Sequence, residues 1–450
     1  MTNQSQVNLR LMALSVLDEI IKDNRFSHKV LNQVLKNHQE LKKQERAFIT
    51  RLVEGTLENL IYLDYVINQF SKTKTSKMKT TICNILRLSV YQLMFMESVP
   101  DSAVCNEAVK LAKKRGFVKL SGFVNGVLRN IARSIDNISL PSEEKNPIEY
   151  LSVLYSFPEW IIKIWLEEYE YEVVKEICIA SNSIPETTIR CNKTKISPTE
   201  LKERLVKEGV NVKEGQFLDY GFNISNYDYL GKLDTFNKGY FQVQDESSML
   251  VGEVADPKKG DLVIDVCAAP GGKSTHIAEL CGECHVVSRD LTYDKTELIN
   301  ENVRRLNLTN IKVEKFDALE LDENLIGKAD IILADLPCSG LGIIRKKPDI
   351  KYNANENQIT SLIELQRNIL KVIQEYLKPG GILVFSTCTI NKRENEDNVK
   401  WLIENLNFEI EDARAFLPEV LRDERHKGCI QILPHQFNTD GFFIARLRKL

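Results

Sequence analysis

No stretch of this chain offers the roughly 18 consecutive apolar residues that a membrane-spanning helix requires. The first twenty residues also lack an apolar h-region: Asp18 and Glu19 fall within an amphipathic pattern, so no secretory leader is expected. Ten cysteines in 450 residues are too sparse for a disulfide scaffold, and a leaderless chain is expected to keep them reduced in the cytoplasm. Glycine and proline are scarce before residue 135, and no internal repeat or low-complexity tract recurs. The dinucleotide fingerprint Gly-x-Gly-x-x-Gly and the Walker loop are both missing, which removes the usual cradles for NAD and nucleoside triphosphates. Cys281-x-x-Cys284-His285 matches a haem-attachment pattern, but that chemistry belongs to exported chains. With no second cysteine pair to complete a zinc site, no metal is expected.

What is present is the composition of a folded soluble protein, 43% hydrophobic and 27% charged, with a length that suggests about three domains. The net charge of −3 conceals an asymmetry. Residues 1–140 hold 21 Lys and Arg against 12 Asp and Glu, a net of +9, which leaves −12 for the remainder. A basic part of this kind suits a polyanionic partner. Lys72, Lys74, Lys77 and Lys79 form one cluster, and Lys113, Lys114, Arg115 and Lys119 a second. Both are candidate phosphate contacts, which position an RNA without reading its bases.

Apolar residues at three- and four-residue steps (Leu9, Ala13, Leu17, Ile20; Ile82, Ile85, Leu86, Val90; Val124, Val127, Leu128) predict an all-helical bundle over residues 1–140. The stretch PSEEKNP, from Pro141 to Pro147, predicts a linker over 141–150. Mixed patterns over 151–238 predict a small α+β module, with helix over Trp160–Ala180, a strand at Thr188–Asn192 and a capped helix over Ser197–Glu208. From 239 to 450, short apolar runs at Leu262–Val266, His285–Ser288, Ile311–Phe316, Ile331–Ala334 and Ile382–Ser386 alternate with helical stretches. That alternation predicts an α/β, Rossmann-like domain with a parallel sheet covered on both faces.

The loop Cys267-Ala268-Ala269-Pro270-Gly271-Gly272-Lys273 follows the first of these runs and opens a helix. Its small residues let backbone N–H groups approach a ligand, and the helix N-terminus suits an anionic group. Asp290 follows the second run, where an acid takes ribose hydroxyls in doubly wound sheets. Asp317 follows the third, where it could receive an adenine amino group, and Asp335 ends the fourth. A nucleoside cofactor with an anionic tail and no pyrophosphate loop points to S-adenosylmethionine.

Two cysteines share that sheet edge: Cys338 after the fourth run and Cys388 after the fifth. Methylation of a pyrimidine at C5 would use them. C5 of cytosine is a weak nucleophile until a thiolate adds at C6, while an acid near N3 stabilises the adduct. A thiol titrating near pH 8.5 needs nearby positive charge, for which Arg345, Lys346, Lys347 and Lys273 are candidates. Asp335 would be protonated in the adduct. Spacing alone does not rank the two cysteines.

The motifs FQVQDESS (Phe241–Ser248), CAAPGGK (Cys267–Lys273), DLPCSG (Asp335–Gly340), RKKPDI (Arg345–Ile350), STCT (Ser386–Thr389) and DGFFIARLRK (Asp440–Lys449) together resemble the RNA (cytosine-5) methyltransferases. Specifically, they resemble the 16S ribosomal RNA methyltransferase B family (RsmB, Fmu or Sun), and the resemblance spans the chain. It implies a NusB-like RNA-binding domain over Val7–Ser134 and S-adenosylmethionine contacts from Cys267–Lys273, Asp290, Asp317 and Asp335. It implies Cys388 as nucleophile and Cys338 in product release, with cytosine 967 of 16S rRNA as the target. A monomer is expected. Arg345, Lys346 and Lys347 join the RNA-contacting set. Leu336 stands where the family usually has Ala or Pro, Thr389 where Ser is common, and Arg289 where an apolar residue is usual. The rival targets are a transfer RNA or another ribosomal site. A rival class is a non-catalytic NusB-type RNA-binding or antitermination protein, against which the retained Cys338, Cys388, Asp335 and glycine loop argue.

Overall fold

A computed structural model describes residues 8–23, 25–426 and 428–450; residues 1–7, which open the expected helical domain, lie outside the described residues. The chain divides into two compact units, one of residues 1–182 with 344–353, the other of residues 183–343 with 354–450.

The first unit is helical, as the periodicity predicts. Its principal helices run Leu9–Lys22, Ser27–Asn37, Lys43–Glu58, Leu60–Phe70, Thr80–Phe95, Asp101–Lys114 and Ser121–Arg133. Asn8 starts the first by accepting the Leu11 N–H at 2.8 Å, which satisfies one of the donors a helix start leaves open. The apolar stripes meet in one core that includes Leu14, Leu17, Leu52, Val66, Leu86 and Leu128. Gly55 permits a close helix approach, since a Cβ there would fall 2.1 Å from the Tyr91 ring.

Three further helices, Pro147–Tyr155, Glu159–Leu166 and Tyr171–Ser181, belong to this unit as well. The linker expected over 141–150 therefore ends early, because Pro147 is tolerated in the first turn of a helix. The helix expected over Trp160–Ala180 is broken in two between Leu166 and Tyr171.

The second unit carries two sheets. In the smaller, β1 (Thr187–Cys191), β2 (Asn211–Glu214), β3 (Gly221–Ser225) and β4 (Phe241–Val243) are antiparallel in the order β2-β3-β1-β4. Helix Pro198–Lys207 lies between β1 and β2 in the chain, with Ser197 accepting from the Glu200 N–H. The compact units cut across the module expected over 151–238. Residues 151–182 cluster with the helical unit, whereas β4, expected to open the catalytic domain, pairs with β1.

The larger sheet contains β5 (Leu262–Asp265), β6 (His285–Asp290), β7 (Ile311–Lys315), β8 (Ala329–Asp335), β9 (Leu377–Thr387), β10 (Phe408–Ile410), β11 (Cys429–Ile432) and β12 (Phe442–Lys449). Its order is β10-β12-β9-β8-β5-β6-β7, with β11 also on β12. The five expected strands are parallel. The sheet as a whole is mixed, because the C-terminal β12 lies antiparallel to β9 and β10 and β11 pair antiparallel with it. Alternate residues feed two cores. Val263, Ile331, Leu333 and Val384 enter one with Val251 and Ile277; Ile264, Ile332, Ala334 and Phe385 enter the other with Leu370 and Leu402. Burial on both faces is why these strands read as continuous apolar runs.

Candidate active site

The parallel strands all end at one edge, and the chemically distinctive residues follow those ends. After β5 the chain turns through Cys267–Gly271 into helix Gly272–Leu280. The turn is pinned by backbone bonds from Ala268 N to Arg289 O (2.9 Å) and from Gly271 N to Ala268 O (2.6 Å). Gly271 has φ +95°, and a Cβ would sit 3.0 Å from Ile299 Cγ2, so the position needs glycine on both counts.

Asp290, the last residue of β6, is almost fully buried. Its Oδ2 accepts the Ala269 N–H at 2.9 Å, while its Oδ1 accepts the Leu291 N–H at 2.7 Å and pairs with Lys295 Nζ at 2.9 Å. Asp317, beyond β7, is half-buried and accepts the Leu319 N–H at 3.0 Å. Arg289, the residue that departs from the family habit, pairs with Glu314 and Asp322 at 2.7 and 2.6 Å and stacks on Phe316. Leu336 belongs to the hydrophobic core.

A nucleoside sulfonium with an amino-acid tail fits this edge. Asp265, at the end of β5, is fully buried, and its Oδ1 has no hydrogen-bond donor among the described residues. Burial pushes its carboxyl up to about 7, against the pull of the Ser274 hydroxyl and Lys273 and with Asp335 and Asp290 adding to the rise. Burial and the same acids push the Cys267 thiol up as well. With Asp335 and Asp290 already paired to Lys273 and Lys295, Asp265 Oδ1 is left to receive a donor from such a ligand, and the helix N-terminus after Gly271 offers N–H groups to its carboxylate.

Asp335, at the end of β8, is ion-paired rather than isolated. Lys273 Nζ lies 2.6 Å from its Oδ2 and Ser386 Oγ donates to its Oδ1 at 3.0 Å. Burial works against charge on Lys273, but the Asp335 pair outweighs it and the net shift is upward; Asp265 and Cys388 pull the same way.

Cys338 and Cys388, 50 residues apart in sequence, are both half-buried and bring their sulfurs to 3.4 Å. The hydrogen bond to Cys388 and burial hold the Cys338 thiol well above its ordinary range, with the charges of Cys388, Glu394 and Asp335 contributing. Thr389 serves where a Ser is common, since its Oγ1 meets Ser339 Oγ at 2.7 Å and accepts the Leu341 N–H at 3.3 Å.

Of the four cations expected near the thiols, Lys273 is in the cysteines' own unit. Arg345, Lys346 and Lys347 belong to the segment Ile344–Asn353 of the helical unit, where Arg345 is buried, with 5% of its surface exposed. That burial removes Arg345 from the RNA-contacting set. Lys72, Lys74, Lys77, Lys79, Lys113, Lys114, Arg115 and Lys119 are all exposed on the helical unit, although Arg115 also donates to Ser15 Oγ at 2.6 Å.

Several polar residues at this edge carry no motif signal of their own. Arg190, from β1, is wholly buried and donates to both oxygens of Glu279 (3.0 and 2.8 Å) and to Gly272 O (2.8 Å), which braces the helix that follows the glycine loop. Glu394, Gln366, Asn391 and Asn398 form a buried network beneath the two cysteine loops. In a sequence, a buried Arg or Glu looks like a solvated one.

Among the described residues no helix is long and apolar enough to cross a membrane, and no group of His, Cys, Asp and Glu is disposed to hold a metal ion. Comparison with known proteins divides the chain into three spans, the middle one crossing the boundary at residue 182 between the two compact units. Residues 253–448 match the model of the 16S rRNA methyltransferase RsmB/F, residues 7–133 that of the NusB family, and residues 157–227 that of the ferredoxin-like domain of RsmF/B-like methyltransferases. The probable ribosomal RNA small subunit methyltransferase B of Bacillus subtilis is 40% identical over 450 residues, with 99% of each chain covered. The ribosomal RNA small subunit methyltransferase B of Vibrio cholerae is 32% identical over 98% of each chain. Among solved structures, that of PH0851 matches with a TM-score of 0.82 at 26% identity over 99% of both chains. NSun6 from Pyrococcus horikoshii with SFG matches with a TM-score of 0.59 at 26% identity, over 66% of this chain and 99% of that one. With likeness this extensive to full-length relatives and with all three domain models in chain order, the chain belongs to the RsmB family of ribosomal RNA small subunit methyltransferases.

Proposed function

We propose that this chain methylates C5 of a cytosine in 16S rRNA, cytosine 967, through a covalent bond between Cys388 and C6 of the base. The observation that carries this reading is the 3.4 Å approach of Cys338 and Cys388 beside the Lys273–Asp335 pair, at the strand edge that carries the glycine loop. S-adenosylmethionine, the cofactor of the family, supplies an electrophilic methyl group. The Cys267–Lys273 loop, Asp290 and Asp317 would hold it, with Asp335 at the border between cofactor and base.

The thiolate of Cys388 adds to C6, and the electron pair of the C5–C6 double bond moves onto C5. Asp335, stationed by Lys273 and Ser386, would stand on the N3 side of the ring and, in its acid form, give a proton to N3, which neutralises the negative charge that thiolate addition pushes there. After methylation, loss of the C5 proton returns its bonding pair to the C5–C6 double bond. The C6–Sγ bond breaks and Cys388 leaves as thiolate. We assign acceptance of that proton to Cys338. Its thiol is held high chiefly by the hydrogen bond to Cys388 and by burial. Once Cys388 is bonded to carbon, the bond and the charge are both gone, so Cys338 gives its own proton to solvent water more readily and, as thiolate, takes the one from C5. The target base must leave its stack for C6 to be reached.

Two variants test the assignment. Cys388→Ala should abolish both methylation and any covalent RNA adduct, and Cys338→Ala should accumulate adduct that survives denaturation. Methylation that persists in Cys388→Ala would refute the assignment. Bisulfite mapping of 16S rRNA from cells with and without the chain tests the target: an unchanged cytosine 967 would exclude that site.

A further inference from the structure

The two cysteine loops are joined by a carboxyl group to which the proposed chemistry gives no part. Glu394 is fully buried, six residues beyond Cys388. Its Oε1 accepts the Ser339 backbone N–H at 2.8 Å and Gln366 Nε2 at 3.3 Å; its Oε2 accepts Ser339 Oγ–H and Asn391 Nδ2 at 2.7 Å. Ser339 is covalently next to Cys338, and Asn391 lies in the turn that follows Cys388. Gln366 also donates to Pro337 O at 2.8 Å, so both flanks of Cys338 are tied to this one carboxyl and its neighbours. The loops are further stitched by Gly342 N to Cys388 O at 3.0 Å. A buried carboxylate is costly unless its oxygens are fully used, and here four donors converge on the two of them. Neutral side chains could staple two loops at less expense, so the placement of a charge here calls for a reason beyond stapling.

Resting on the covalent mechanism above, we propose that Glu394 is a positioning residue for Cys338. It ties Ser339 to the turn after Cys388, so that the Cys338 sulfur stands where the methylated adduct is resolved. Its charge, which burial disfavours and the hydrogen bonds from Ser339, Asn391 and Gln366 favour, adds a second effect. The titratable and charged groups facing Cys338 are Cys388, Asp335 and Glu394, with Lys273 set against Asp335 and Cys388. Cys388 loses its charge on bonding to the base and Asp335 is countered by Lys273, which leaves Glu394 to govern how readily Cys338 releases its proton within the adduct. No new bond is made by Glu394; it acts on the sulfur that takes the C5 proton.

The test uses the full-length chain, S-adenosylmethionine and a 16S rRNA fragment that contains the target cytosine. Methylated product and denaturation-resistant adduct are measured together across a pH series. Glu394→Ala should form adduct as the parent does but resolve it about tenfold to a hundredfold more slowly, with KM for RNA unchanged, as expected when a reacting group is misplaced by a fraction of an ångström. Glu394→Gln drops the charge at nearly the same shape and turns one acceptor into a donor, which the Ser339 hydroxyl can accept while the Asn391 contact is lost; its adduct resolution should titrate at lower pH than the parent's. Binding of S-adenosylhomocysteine confirms that each variant is folded, and if Glu394→Ala is not, Glu394→Gln decides alone. Parent-like resolution in Glu394→Ala, or an unshifted profile in Glu394→Gln, overturns the proposal. Parallel Cys338→Ala and Cys388→Ala reactions separate the causes: adduct trapped in Cys338→Ala but resolved normally in Glu394→Ala refutes the role of Glu394, whereas methylation by Cys388→Ala refutes the mechanism on which it rests.

Discussion

Gly271 has no room for a side chain and no backbone latitude for one, with φ at +95° and Ile299 Cγ2 3.0 Å from where a Cβ would stand. Gly271→Ala should therefore cost about 1–2 kcal/mol of stability and weaken cofactor binding, because the left-handed backbone alone is worth about that much for a residue with a Cβ. Thermal denaturation and titration with S-adenosylhomocysteine measure the two effects, and parent-like values in both would refute the argument. At this scale the site was partly legible. The cysteines, Asp290, Asp317, Asp335 and the glycine loop stand out because each follows an apolar run, so their shared sheet edge follows from the strand order. In the sequence Asp335 is a carboxyl awaiting a proton; its pairing with Lys273 is not visible there, since 62 residues separate them. Glu394 and Arg190 were invisible for the same reason. Their partners are distant in sequence, and nothing local distinguishes a buried charge from a hydrated one.

At the scale of elements, β1 and helix Gly272–Leu280 are coupled by the Arg190–Glu279 pair, both side chains of which are essentially removed from water. Arg190→Ala leaves the carboxylate buried alone and should cost about 3–5 kcal/mol, while the paired change Arg190→Met with Glu279→Leu should cost much less, since desolvation largely offsets the attraction within a buried pair. Urea unfolding of the single and double variants checks this; equal losses in the two would sink it.

In the helical unit, Lys351 is fully buried with its Nζ donating to Glu58 O (2.7 Å) and Asn182 Oδ1 (3.0 Å). Burial lowers it from 10.5 to about 7, against the opposing pull of Glu58. Between those values the unfolded chain holds a proton that the folded one does not, so stability should rise as pH climbs from about 7 towards 10.5. Below about 7 both states are protonated and the cost of the buried charge is carried in full. Unfolding followed through Trp160 and Trp165 in a Trp401→Phe background should show that rise, and Lys351→Met should flatten it; an equal rise in the variant would assign the slope elsewhere. Elements with a strong period were legible in advance: the helices of residues 8–133 and the five parallel strands. The short β2, mostly exposed, shows no alternation to detect, and β12 owes its place beside β9 to a non-local pairing that no window of sequence contains.

For the whole molecule, the charge asymmetry becomes a statement about salt. The four lysines at 72, 74, 77 and 79 are exposed, and replacing all four with glutamine should reduce the salt slope of RNA binding by up to about 3, at roughly 0.7 per phosphate contact on a single strand. Methyl transfer at saturating RNA should be unaffected, and an unchanged slope would show that this cluster meets no phosphate. The segment Ile344–Asn353 has a different bearing. It is made after most of the catalytic unit, yet it is part of the helical one, where Asp349 accepts from Ser27 and Lys351 donates to Glu58. During synthesis, residues 1–182 are complete long before that segment exists. About 160 residues must still be added, which at 5–20 residues per second takes roughly 10–30 s. Over that interval the nascent helices have no Asp349 for Ser27 and no Lys351 for Glu58, so the unit begun first stays incomplete until most of the second has been made.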